Sequence, residues 1–236
     1  MKVRLNLPIL TVMLIVLIVP ALAHQPFFEE DDLTFSNPEQ IRDPTISTAI
    51  YSTLETQDDV DYYAFEANEN QSILLSITIP QITGQDNFAP TMALIGPGLP
   101  PGVLPRNISK SEDLGLLIIP PPMNSTPFFE PFSRTSYWTR QEQYVKIPVN
   151  GSYLLAVWDE KGEIGRYVFV IGDREVPGGD LAFPIKMKNY WVSVVAQDNQ
   201  TRAPQISQDA IAQPSFELVS TLLSIAVIAF SKDRIA

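Results

Sequence analysis

The sequence predicts an all-β protein: a single jelly-roll-like antiparallel sandwich of about eight strands, flanked by an N-terminal signal peptide and a C-terminal hydrophobic helix. Three observations carry this. Apolar residues between positions 45 and 172 recur with period two instead of 3.6, turn residues separate the alternating runs, and no segment in that interval has helical periodicity. Many short strands joined by turns pack as a sandwich or barrel.

Residues 1–23 come first. Lys2 and Arg4 form a short basic region, Ile9 to Val19 is an apolar run broken only by Thr11, and Ala21-Leu22-Ala23 has the small-x-small spacing of a signal-peptidase site. Cleavage after Ala23 would export the chain and leave His24 as its N-terminus. Residues 24–44 read as an N-terminal arm, and the sandwich is expected over 45–176.

Within the sandwich, Ala49 to Leu54 and Asp61 to Glu66 are the first strands. In Gln71 to Ile79, one face carries Ile73, Leu75, Ile77 and Ile79, and the other Ser72, Leu74, Ser76 and Thr78, the pattern of a half-buried strand. Thr91 to Ile95 and Gly115 to Ile119 flank a Pro-rich insertion. Val145, Ile147 and Val149 alternate with polar residues. Asn150-Gly151 then turns the chain into Tyr153 to Trp158, and Asp159 to Gly162 turns it into Arg166 to Ile171. Residues 177–195 form an apolar segment, expected as a short helix packed on the sandwich or lying near a membrane. Residues 196–214 are a polar spacer. Residues 215–236 contain the uncharged run Leu218 to Phe230, followed by Lys232 and Arg234. As a helix that run spans about 20 Å, short of the roughly 30 Å hydrocarbon core. Its position behind a polar spacer and before basic residues still points to a membrane tether.

Composition narrows the function classes. The net charge is −11, and more negative once Lys2 and Arg4 are removed, which excludes nucleic acid as an expected partner. The chain has no cysteine, so disulfides, thiolate metal sites and cysteine nucleophiles are ruled out. Sequons at Asn70, Asn107, Asn124, Asn150 and Asn199 exceed the one or two expected by chance, and they predict a glycosylated surface protein, although such triplets are also turn chemistry.

Asp59-Val60-Asp61-Tyr62-Tyr63-Ala64-Phe65, followed by Glu69-Asn70-Gln71, resembles the bacterial and archaeal pre-peptidase C-terminal domains. Asn150-Gly151-Ser152-Tyr153 to Val157 and Gly165-Arg166-Tyr167 to Val170 are similar to their closing strands. The resemblance covers roughly residues 40–172. It implies a jelly-roll-like sandwich acting as an accessory or binding module without catalysis. The chain departs from the pattern in its Pro-rich insertion and in carrying no peptidase. It also resembles a group of exported, membrane-tethered prokaryotic sandwich proteins. Pro214-Ser215-Phe216-Glu217 and the tail resemble archaeal Pro-Gly-Phe sorting signals, with Ser215 in place of the glycine.

Three constellations could carry chemistry. A mature N-terminal His24 would offer its α-amine and imidazole Nδ1 to Cu(II). No second imidazole exists to complete such a site, so Glu29, Glu30, Asp31 or Asp32 would have to. Asp43, Asp59 and Asp61 could supply oxygens to Ca²⁺, and the domains this chain resembles sometimes bind calcium near the matching strand. The aromatic residues Phe128, Phe129, Phe132, Tyr137 and Trp138 could stack on a carbohydrate or a partner protein, or could cover an edge of the sandwich. A nucleophile relay or a zinc hydrolase needs more imidazole than one residue supplies. The expected function is a non-catalytic, membrane-tethered surface protein. A copper-binding surface protein is the alternative, and a carbohydrate-active hydrolase a more distant one.

Overall fold

A computed structural model describes residues 24–105, 108–131, 133–188, 190 and 191. The expected signal peptide, Asn107, Phe132, Asn199, the expected polar spacer and the C-terminal tail lie outside the described residues.

The chain folds as a β-sandwich. In order the strands are β1 (Gln25–Phe28), β2 (Glu39–Ile41), β3 (Thr48–Leu54), β4 (Asp61–Ala67), β5 (Ser72–Pro80), β6 (Thr91–Gly96), β7 (Gly115–Ile119), β8 (Thr126–Glu130), β9 (Thr135–Lys146), β10 (Gly151–Trp158) and β11 (Gly165–Ile171). A single-turn helix, α1 (Phe183–Met187), follows. The first sheet has the order β1-β3-β11-β5-β9-β8 and the second β2-β4-β10-β6-β7. Among the described residues eleven strands are present, where about eight were expected. The additional ones, β1, β2 and β8, are short and lie at sheet edges, where alternation is too brief to register as a pattern.

Alternation places the core as the sequence suggests. Ile73, Leu75, Ile77 and Ile79 of β5 face Phe169 and Ile171 on their own sheet and Leu94, Leu155 and Val157 across the gap. The turn between β4 and β5 needs a left-handed residue, and Asn70 supplies it at φ 67°. Asn150 Oδ1 accepts the Glu69 N–H at 2.7 Å beside this turn. Asn70, Asn124 and Asn150 are all exposed.

The N-terminal arm is part of the sandwich. β1 pairs in parallel with β3, and β2 pairs in parallel with β4, so the arm adds one edge strand to each sheet. Between them, residues 29–33 cross the open side of the sandwich as a strap. The Glu29 N–H donates to the Tyr51 carbonyl at 3.0 Å, and the Tyr62 N–H donates to the Leu33 carbonyl at 2.7 Å. Leu33 and Ile41 join the main core.

The two outer faces differ. The Pro-rich insertion folds back over the second sheet, where Leu104, Ile108 and Leu114 pack on Tyr62, Ala93, Ile95, Ala156 and Trp158. The Ser109 N–H donates to the Tyr62 hydroxyl at 2.9 Å. Gly115 permits this return, because a Cβ there would sit 1.9 Å from the Leu99 carbonyl oxygen. On the first sheet, Phe183 and Met187 of α1 pack with Phe28, Tyr51, Tyr137, Tyr190 and Trp191. That cover is partial, and a groove of about 390 Å³ runs beside it. Among the described residues, no helix is long and apolar enough to cross a membrane.

Candidate metal centre

Asp61 opens β4 and has no exposed surface. The Tyr167 hydroxyl donates to its Oδ2 at 2.5 Å, the Tyr167 and Tyr63 hydroxyls lie 2.7 Å apart, and the Tyr63 hydroxyl donates to Ser52 Oγ at 2.8 Å. This polar chain links both sheets at one end of the core. Asp61 Oδ1 has no hydrogen-bond partner. A buried, unpartnered carboxylate oxygen is costly unless something neutralises it.

The strap brings two more carboxylates to that oxygen's residue. Glu29, Asp32 and Asp61 each offer a carboxylate oxygen, all within 4.8 Å of one another. Glu29 is fixed at the end of β1, where its Oε2 accepts the Thr53 N–H at 2.8 Å. Burial, and next the charge of Glu29, push the Asp61 carboxyl well above the usual carboxylate range. Burial pushes Glu29 up to about 8, against the Thr53 hydrogen bond and with help from Asp59, Glu55 and Asp32. Burial also raises Asp59. Two buried acids that resist ionisation, Glu29 and Asp61, with Asp32 beside them, suit a cation that favours carboxylate oxygens. Ca²⁺ binds oxygens at about 2.3–2.6 Å, so ligands on opposite sides of one ion lie up to roughly 5 Å apart, the scale of this trio.

The expected calcium set is divided by the fold. Asp61 lies in the trio. Asp59 is close enough to be felt electrostatically, but its Oδ2 accepts the Glu55 N–H at 2.6 Å and closes a turn. Asp43 is elsewhere: its Oδ1 accepts from the Thr45 N–H and hydroxyl, and Oδ2 pairs with Arg174 at 2.8 Å. Glu29 and Asp32 take the remaining places. The acidic run 29–32 was visible in the sequence, but its contact with β4 depends on the strap.

His24 lies away from the trio, with Nδ1 against Ser47 Oγ. Burial lowers its pKa, opposed by Glu130 and Glu175. Of the aromatic candidates, Tyr137 is buried and stacks on Phe128 with centroids 5.4 Å apart, and the Arg140 guanidinium lies over Trp138 at 5.5 Å. Phe128 and Phe129 on β8 are 39% and 59% exposed. Tyr137 and Trp138 therefore pack on the sandwich, while Phe128 and Phe129 also face solvent.

Replacing Tyr167 with phenylalanine is expected to cost about 1–3 kcal/mol, because it strips Asp61 Oδ2 and the Tyr63 hydroxyl of a buried partner. Urea unfolding measures this loss, and an unchanged midpoint would show that the hydroxyl chain contributes nothing.

The fold and the site together define a two-sheet β-sandwich closed on one side by an acidic strap. No family model matches the sequence, and no curated protein matches it. Among solved structures, the chain is similar to the pre-peptidase C-terminal domain of a collagenase from Bacillus anthracis, at 16% identity over 57% of this chain and 93% of that one, with a TM-score of 0.34. It is also similar to PliG from Aeromonas hydrophila, a periplasmic inhibitor of g-type lysozyme, at 14% identity over 57% of this chain and 95% of that one, with a TM-score of 0.33. Likeness at this level bears on neither activity nor ligand.

Proposed function

We propose that the chain is a non-catalytic extracytoplasmic β-sandwich module for binding, whose N-terminal strap is fastened by Ca²⁺. The observation that carries the reading is the trio of Glu29, Asp32 and Asp61, with the unpartnered Oδ1 of Asp61 in its buried member. Bridging by a cation would join the arm to β4 and turn a repulsive cluster into a clasp. Export is supported by the pattern of residues 1–23, and a membrane tether by residues 215–236. Glu29 and Asp61 are a poor acid–base pair for a glycosidase, because Asp61 has no surface for a substrate to reach.

Calorimetric titration of the full chain with calcium tests this, with magnesium as comparison. One calcium per chain is expected, together with a rise of several degrees in melting temperature at saturation, since a ligand bound to the folded state alone stabilises it by about 2.7 kcal/mol at 100 times its Kd. Melting curves that ignore calcium up to about 10 mM, well past the weakest extracellular modules, would remove the clasp.

A further inference from the structure

We propose that the groove on the outer face of the first sheet docks an extended polypeptide segment of a partner, one whose apolar side chains are flanked by lysine or arginine. Its floor consists of short side chains from three adjacent strands: Ala49 of β3, Val168 and Val170 of β11, and Leu74, Ser76 and Thr78 of β5. Tyr51, Tyr137 and Phe128 stand above that floor as an aromatic wall. The opposite sheet shows what such a face requires, since its equivalent apolar surface is covered by the Pro-rich insertion.

The charges select the partner. The ionisable side chains lining the groove are His24, Glu130, Glu142 and the two tyrosines, with no lysine or arginine among them, on a chain of net charge −11. Carboxylates at the rim and methyl groups on the floor complement a segment that is apolar at its centre and cationic at its ends. Length favours a polypeptide, because Phe128, 39% exposed, carries the apolar surface of the groove out to edge strand β8. The floor is less suited to a carbohydrate, because its hydroxyls on Ser76 and Thr78 are almost wholly buried, while Thr139, His24, the two tyrosines and the carboxylates supply the polar groups around it.

This inference rests on the reading of the chain as a binding module and is independent of the calcium clasp, so the test is run with calcium and with a chelator. Two acetylated synthetic peptides, Lys-Leu-Val-Leu-Lys and Glu-Leu-Val-Leu-Glu, are titrated into the full chain. The lysine peptide is expected to bind about fivefold more tightly, by an amount that shrinks as salt rises. The exposed substitution Glu142→Lys should erase or reverse that preference without moving the melting temperature. Ser76→Trp, which fills the floor, should abolish binding of both peptides. Equal affinities, or no binding by either peptide, would overturn the proposal. So would binding of cellobiose in their place, which would assign the groove to carbohydrate. A calcium response with no peptide binding would sink this inference and leave the clasp standing.

Discussion

Replacing Asp61 with asparagine is expected to stabilise the cation-free protein by about 1–2 kcal/mol at neutral pH and to erase its response to calcium. Asparagine keeps the shape of the side chain and can still bond the Tyr167 hydroxyl, but it removes a carboxyl that is ionised in the unfolded chain at neutral pH and must take up a proton to be buried without a cation. The wild-type pH dependence follows from the same groups. The folded-state pKa of Glu29 is raised from 4.5 to about 8, and that of Asp61 is raised in the same direction. The folded state therefore holds protons that the unfolded chain has released. The stability linked to Glu29 is fully present below about 4.5 and is lost as pH rises towards about 8, and Asp61 adds a loss of the same sign. Calcium in place of those protons should flatten the curve, and Asp61→Asn should shrink its slope without calcium. Denaturant midpoints across that pH range, with calcium and with a chelator, measure all of this. A variant that still gains stability from calcium would show that the ion binds elsewhere.

Removing residues 24–44 is expected to cost about 4–8 kcal/mol, enough to unfold many domains of this size. The deletion takes Leu33 and Ile41 out of the main core, two buried aliphatic side chains of about 2–4 kcal/mol each. It also strips the parallel partners from β3 and β4 and leaves both edges bare. Bare edges pair with other chains, so the shortened protein should aggregate as well as unfold early. Denaturation and size-exclusion chromatography report the two effects separately. A chain starting at residue 45 that stays monodisperse with an unchanged midpoint would show that the strap is dispensable.

The central strands were legible because their alternation is long enough to survive local noise. β5 and β10 show this best, since each has its neighbours' apolar faces to match and a turn residue at its end. β1 and β2 were not legible. A strand of three or four residues with Pro26 in it has no period to detect, and its pairing is parallel to a partner more than twenty residues away. The aromatic run was legible as a group but not in its allocation. Phe128 and Tyr137 stack across the β8–β9 pair, and only the sheet register decides which of their neighbours remain exposed.

The candidate metal centre divides along the same line. The sequence by itself determined that the chain is all-β, strongly acidic, without thiols and with a lone histidine, and therefore that any metal it holds must be taken largely by carboxylates. It also marked Asp61, through the motif in which that residue stands. The tertiary structure alone decided which carboxylates meet. Asp43 and Asp59, both nearer to Asp61 in sequence than the strap is, are taken by Arg174 and by a turn. Glu29 and Asp32, about thirty residues away, are carried to Asp61 by a strap that crosses from one sheet to the other. The physical reason is that alternation is a local property of the chain, fixed by which side chains prefer water. Proximity across the open side of a sandwich is set by the closing of edges, and no single segment encodes it.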